Sequence, residues 1–361
     1  MAQSDGGDIL FLAGNRTTKL DHEIESYVET TGELVAWVEV LSLSASQDTD
    51  IYIFYGNADA VDQWNPTGAG VWEPNYAGVW HLHDDFNDST WEGNHGTNSG
   101  SADDTGTMAD AQYFDSTDDI YTGTNSTMAD ASAVTISAWI KPDAGQTDWG
   151  GILEYRDSAS GWETVLEVKS TRKFSFGTWS DASSWHNLES NAVLPTTGFS
   201  HIVGVYDGSD KITYLDGQLD NTYGSFTGNL RNNSRPFHIG RNAGDGVTFN
   251  GVIDEVRISK VARSPEWIAT EHNNLKTDST FYVIDDDWVG PCWDGNYAYR
   301  KKLTITAGSA DIPAGYSVSV TFDHAALVSA GKSLASGDDL RAVSYTHLRA
   351  HETLRSISYA V

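Results

Sequence analysis

The sequence predicts an all-β chain: a two-sheet antiparallel sandwich with smaller β-pieces on either side of it. Three observations carry this reading. Thirty-four glycines, 13 Trp and 16 Tyr in 361 residues, with abundant Ser, Thr, Asn and Asp, suit many short strands joined by tight turns. Between residues 70 and 275 about eleven short segments of alternating character follow one another, several separated by DG or GS turns of the hairpin type. Few stretches read as helix, and no run of about 18 apolar residues is long enough to span a membrane.

Taken in order, residues 1–65 contain DILFL, TKLDHEIESY, GELVAWVEV and TDIYIFYGN, each a strand bounded by polar or glycine turns. In GELVAWVEV, Leu34, Ala36, Val38 and Val40 face one way. The central strands include GVWHLHD, VTISAWIKP, GGILEYR, ETVLEVKS, KFSFGTW, SHIVGVYDG, KITYLDGQ and FHIGRN. In VTISAWIKP, Val134, Ile136, Ala138 and Ile140 form an apolar face, and Val203 and Val205 form another in SHIVGVYDG; sheets with one buried face must pack on each other. The last central strand, FNGVIDEVRIS at residues 249–259, organises the rest. Strict alternation places Val252, Asp254, Val256 and Ile258 on one face and Ile253, Glu255 and Arg257 on the other. A carboxylate among aliphatic side chains needs an ion, a donor or a metal, so Asp254 predicts a partner from elsewhere in the chain. SPEWIATEHNN predicts a short helix with Ser264 as N-cap, Pro265 at its first position and Trp267 docking on a sheet edge. YRKKLTI and YSVSVTF follow as strands. SGDDLRAV at 336–343 matches DGGDILFL at 5–12 in pattern, so the two ends read as pieces of one repeated module, the latter half first and the opening half of the next copy last.

Charge and cysteine narrow the function classes. Lys plus Arg number 22 against 51 Asp plus Glu, a formal charge of −29, which argues against nucleic acid or an anionic membrane as partner and suits cations. The single cysteine, Cys292, excludes an intrachain disulfide and a thiolate zinc cluster. No basic-then-apolar secretion signal follows Met1.

GVWHLHDDF, GNHGT, YFDSTDDIY, VTISAWIKP, SHIVGVYDGSDKITYLDGQ, FHIGRN and FNGVIDEVRISKVARSPEWI together resemble the laminin-G-like branch of the concanavalin-like jelly rolls, in that family's order and over nearly all of residues 70–270. The flanking pieces resemble a bacterial cell-surface β-domain of unknown function. SYTHLRAHET in the tail resembles translated sequencing-adapter read-through, and the tail's two Arg and two His set it apart from the acidic chain. The resemblance implies this division: 1–65, latter half of the flanking domain; 66–283, jelly roll; 284–296, linker; 297–343, opening half of a second flanking copy; 344–361, artefactual tail. It departs from the family where His83, then Asp84 and Asp85, stand after WHL in place of an acidic residue and glycine, and where Trp91 is inserted in the NDSTWEGNHG loop.

Three chemistries are weighed. Calcium takes six to eight oxygens, and Asp84, Asp85, Asp119 and Asp254 lie near strand ends; the resemblance adds Asn242 and Asp245, which correspond to the cation loop of pentraxin-like relatives. Against this, single acids are common turn formers. For glycans, Trp149, Trp162, Trp179 and Trp185 occupy hairpin or loop contexts where a ring can meet a sugar face, with Asn242 as a polar partner; capping of the sandwich core is the bland alternative. Trp80 and Trp139, inside strands, read as structural. Catalysis is weakest: the Glu-x-Asp-x-x-Glu pattern of hydrolases on this sandwich is absent, although Glu163 and Glu167 share a strand face. No nucleophile elbow is present, and His81 and His83 share a face without a third zinc ligand. The sequence therefore points to a non-catalytic, secreted or cell-surface glycan-binding or adhesion module stabilised by Ca2+, with a structural spacer in a repeat array as the alternative and a glycoside hydrolase third.

Overall fold

The computed structural model describes residues 3–30, 33–57, 59–65, 70–115, 117–128, 131–157, 161–230, 234–244, 246–276, 279–284, 299–306, 308, 312 and 316–322. Asp245, the 336–343 segment and the tail after Val343 lie outside them, as does the Trp162 side chain. The chain divides into a unit of residues 1–71 with 278–361 and a unit spanning Trp72–Thr277.

Strands are numbered along the chain. The first unit begins with β1 (Leu10–Leu12), β2 (Lys19–Leu20), β3 (His22–Val28), β4 (Glu33–Val40) and β5 (Thr49–Tyr55). Asp8 is fully buried beside them and accepts the backbone N–H groups of Gln3, Gly56 and Asn57, which satisfies its charge where the chain turns.

The second unit holds β6 (Tyr76–Trp80), β7 (Thr97–Ser99), β8 (Ala102–Thr105), β9 (Asp110–Phe114), β10 (Asp119–Tyr121), β11 (Val134–Pro142), β12 (Gly150–Asp157), β13 (Gly161–Val168), β14 (Phe174–Ser180), β15 (Ser184–Glu189), β16 (Ser200–Tyr206), β17 (Asp210–Leu215), β18 (Gln218–Gly224), β19 (Phe237–Ile239), β20 (Arg241–Asn242), β21 (Val247–Thr248), β22 (Gly251–Ser259) and α1 (Pro265–Leu275). One sheet runs β18-β17-β16-β11-β22-β9-β8 with β6 on β22; the other runs β15-β14-β13-β12-β19-β10-β7 with the β20–β21 hairpin against β12. Their facing sides make one core. Val134, Ile136, Ala138 and Ile140 of β11 join Ile253, Val256 and Ile258 of β22 on one side, and Leu166, Phe174, Phe176, Phe237 and Ile239 meet them from the other. Gly204 of β16 leaves the space that the Phe176 ring occupies.

Two alternation readings change here. Val203 and Val205 face away from this core and join Tyr214 and Ile268 of α1 in a small second cluster, so β16 is buried on both faces. In β22 strict alternation fails after Asp254. Trp139 pairs with Asp254 and Ser137 with Arg257, so three steps on β22 oppose two on β11, and Glu255 takes φ +51°. This is a β-bulge. It sends Val256 and Ile258 into the core with Ile253, and leaves Asp254 off the face the aliphatic residues share.

Helix α1 starts where the sequence predicts: the Ser264 side chain accepts the Trp267 N–H at 3.2 Å and Pro265 opens the first turn. Back in the first unit, β23 (Tyr282–Ile284), β24 (Tyr299–Ile305) and β25 (Tyr316–Phe322) follow. β24 pairs with β5 along seven residues, and β25 pairs with β4 from Tyr316↔Val40 to Phe322↔Leu34. Strands from both ends of the chain therefore complete the sheets β2-β1-β5-β24-β23 and β25-β4-β3.

Candidate functional site

The side of the β15–β7 sheet that faces away from the core carries most of the predicted ligand residues. At one edge Trp179 and Trp185 are direct cross-strand partners on the β14–β15 hairpin, so their side chains share a face, and both are half-buried. The Trp185 ring and the Asn187 amide lie over Gly177, where any side chain would collide with them. Trp149, at φ +69°, is half-buried beneath the Lys169 ammonium, 4.5 Å from its ring centroid; Lys169 also binds Glu189 at 2.9 Å. Trp80 and Trp139 are buried.

The middle of this face is charged and yet covered. Glu154, Glu163 and Glu167 are all at most 2% exposed, and Arg156 is 5% exposed. Glu154 is paired with Val165, which places Glu163 and Glu167 as its diagonal neighbours. The loop after β20 folds over them: the Ala243 N–H donates to Glu154 Oε2 at 2.9 Å, Arg156 Nη1 donates to Asn242 Oδ1 at 3.3 Å, and Gly244 rests on the Arg156 guanidinium. Asn242 is fully buried in that role. Arg235 reaches Glu163 at 3.4 Å. At the far edge Asp119 holds His238 Nδ1 at 3.0 Å, and Tyr121, 43% exposed, stacks on that imidazole.

The predicted cation residues separate. Asp85 is exposed, and its carboxylate accepts the backbone N–H and the side-chain amide of Asn87, closing its own turn. Asp84, at φ +51°, faces His83 Nε2 at 3.3 Å, and His83 Nδ1 stands 3.7 Å from Asp110. β6 ends at Trp80 and Leu82 takes φ +65°, so His81 and His83 do not share a face: His81 Nδ1 binds Glu255 at 2.7 Å instead. Asp254 is 1% exposed and accepts the Thr107 N–H at 2.6 Å. Its Oδ2 and the carbonyls of Asp110 and Ala109 lie 2.7, 2.8 and 2.9 Å from the point where a side chain on Gly106 would begin. Two of these oxygens are already engaged, Asp254 Oδ2 by the Thr107 N–H and the Ala109 carbonyl by the Gly106 N–H at 2.9 Å, so together they close the turn and leave no room for a side chain at Gly106.

Two further sets of residues carry no sign in the sequence. Asp88, 3% exposed, organises the loop after β6 by accepting the N–H groups of Val79, Thr90 and Asn94; burial, partly offset by these bonds, raises its carboxyl above the usual range. Under α1, Arg257 joins Glu255 at 2.6 Å and Glu271 at 3.4 Å, and Glu271 also accepts the Ser137 hydroxyl at 2.7 Å and faces His201 at 3.5 Å. Burial pushes the Glu271 carboxyl up, but Arg257, His201 and Ser137 outweigh it and hold it at about 2. Glu255 and Arg257 share a strand, but Ser137, His201 and Glu271 come from two other strands and a helix, so no local pattern announces the whole set.

Two family models match the chain. Residues 114–269 match the concanavalin A-like lectin/glucanases superfamily in its laminin-G form. The central unit carries a laminin-G-like domain. Residues 5–98 match a domain of unknown function, DUF2341, and that match runs past the division at Val71 into β6, which pairs with β22 of the laminin-G-like unit. No curated protein matches the chain. Among solved structures, it is similar to domain 4 of a GH43 extracellular arabinanase from Geobacillus stearothermophilus, solved with arabinotriose (18% identity, TM-score 0.45, 54% of this chain and 97% of that one). It is also similar to the binding domain of Paraclostridial Mosquitocidal Protein 1 (12% identity, TM-score 0.47, 55% of this chain and 52% of that one). A third is the binding domain of botulinum neurotoxin DC in complex with SialylT (12% identity, TM-score 0.43, 59% of this chain and 53% of that one). The chain spans about half the length of the two toxin domains. Among the described residues no helix is long and apolar enough to cross a membrane.

Proposed function

We propose that the laminin-G-like unit is a non-catalytic carbohydrate-binding module of a secreted or cell-surface protein, with a glycan or surface polysaccharide as partner. The observation that carries this is the Trp179–Trp185 pair: two indoles side by side on one face, half-accessible, with the Asn187 amide beside them over Gly177. Apolar sugar faces stack on such rings while an amide takes the hydroxyls. Affinity electrophoresis of the full chain against a panel of soluble polysaccharides tests it. Retardation by at least one polysaccharide is expected, and Trp179→Ala or Trp185→Ala should abolish it without lowering Tm.

The structural-spacer reading is favoured by a different observation, the engagement of Glu154 and Arg156 in holding down their own loop. Failure of the whole panel to retard the wild-type chain would select it.

Calcium is part of the proposal, with the buried Asp254 carboxylate as its ligand. A ligand that binds only the folded state stabilises it by about 2.7 kcal/mol at a hundredfold excess over Kd. A chelator should therefore lower Tm, and Asp254→Asn should remove most of that sensitivity; an unchanged wild-type Tm would overturn the assignment.

A further inference from the structure

We infer that His83, Asp84 and Asp110 form a second metal site, distinct from the oxygen cluster at Asp254, and that it takes a borderline transition ion of the Zn2+ class. The three donor groups lie within 4.8 Å of one another. Neighbouring residues of an extended chain point apart, but Leu82 and Asp84 take φ +65° and +51°, which folds the segment after β6 so that the Asp84 carboxylate returns to His83 Nε2 at 3.3 Å. Metal–ligand bonds of about 2.0–2.2 Å in a tetrahedron place ligand atoms about 3.4 Å apart, so this pair is already at coordination spacing. Asp110 comes from the start of β9, just after the turn that Asp254 fixes through the Thr107 N–H and that Gly106 N–H closes onto Ala109 O at 2.9 Å.

Burial divides the roles. The His83 side chain is 13% exposed and held in place, whereas the Asp84 and Asp110 side chains are 75% and 52% exposed, leaving an open approach and room for water in the remaining positions. The donor set selects the ion. Calcium takes oxygens and prefers six to eight of them, whereas one imidazole nitrogen with two carboxylates suits zinc and its neighbours. In a chain of net charge −29, two carboxylates meeting across one imidazole also draw a cation electrostatically.

The competing occupant of Nε2 is a proton, which would make the same contact with Asp84 while Nδ1 accepts the Asp110 N–H at 3.4 Å. Calorimetric titration of the metal-free full chain at pH 7.5 with zinc, and separately with calcium, tests the inference. Zinc should bind, and excess calcium should not displace it. His83→Ala and Asp110→Asn should each weaken that site at least about tenfold, the effect that even outer partners of a metal can have. Asp254→Asn should abolish the calcium effect on Tm and spare zinc. Zinc binding of equal stoichiometry and affinity in His83→Ala, displacement by calcium, or no zinc binding by the wild type would each overturn it. The metal-free Tm of His83→Ala, expected to be unchanged, verifies that its fold is intact.

Discussion

Glu271 is the residue on which the ion network under α1 turns. It is 4% exposed and faces Arg257, His201 and Ser137, so Glu271→Gln removes one of the two carboxylates described beside the buried Arg257 guanidinium. Breaking a buried pair by removing one partner typically costs about 3–5 kcal/mol, and the remaining Glu255 argues for the lower end, to be read from urea unfolding. The pH dependence has a definite sign. A carboxyl held at about 2 contributes stability that is present above its unfolded value and lost as pH falls through about 2. His272 is pushed down to about 4 by burial, with His201 and Lys276 adding to it. It binds a proton more readily when unfolded, so its contribution is lost as pH falls from about 6.5 towards 4. Lys211 behaves likewise at higher pH. It is fully buried, its ammonium 3.2 Å from Thr178 O and 3.9 Å from the Phe226 ring centroid, and burial lowers it to about 6. Stability should rise between about pH 6 and 10 as the unfolded lysine loses its preference for the proton, and Lys211→Met should flatten that rise in thermal melts.

Helix α1 and the β14–β15 hairpin show how far single elements follow local rules. The Ser264 hydroxyl accepts the Trp267 N–H in the first turn, and Ser264→Ala should cost about 1 kcal/mol, seen as a shift in the urea midpoint without a change in slope. Gly177 acts through the side chain it lacks, which lets the Trp185 ring lie down on β14. Gly177→Val should displace the ring, reducing glycan retention while Trp179 and Trp185 are both still present. The bulge at Glu255 was not legible in VIDEVRI, which reads as one unbroken alternating strand. A two-residue period has no place for an inserted residue, and pairing with β11 supplied it.

At the scale of the molecule, one unit is assembled from strands on both sides of the other in sequence. Val318 of β25 is fully buried and pairs with Val38 of β4. Val318→Asp would bury an unpaired charge there and should destabilise that unit by several kcal/mol. Tryptophan fluorescence followed during heating would report the loss, with Trp37 of β4 in that unit. The whole chain is also highly acidic, and self-repulsion at −29 opposes compaction. Its Tm should therefore rise as sodium chloride screens those charges, by an amount that saturates once the Debye length falls to a few ångströms.

Strand content, the helix at Ser264, the inward face of β11 and the kinship with laminin-G-like domains were all legible from the residues alone. Each of these is written locally, in a period of two, a capping residue or an ordered series of motifs. What each charge touches was set by the folded chain. Folding brought Glu271 to Arg257 beside Glu255, made Asn242 a buried clasp for Arg156, and turned His83 away from His81 towards Asp84 and Asp110. Such pairings bring together residues far apart in the chain: His81 and Glu255 are separated by 174 positions. Chain closure, bulges and left-handed residues set them, and alternation along one strand carries no information about which strand will lie beside it.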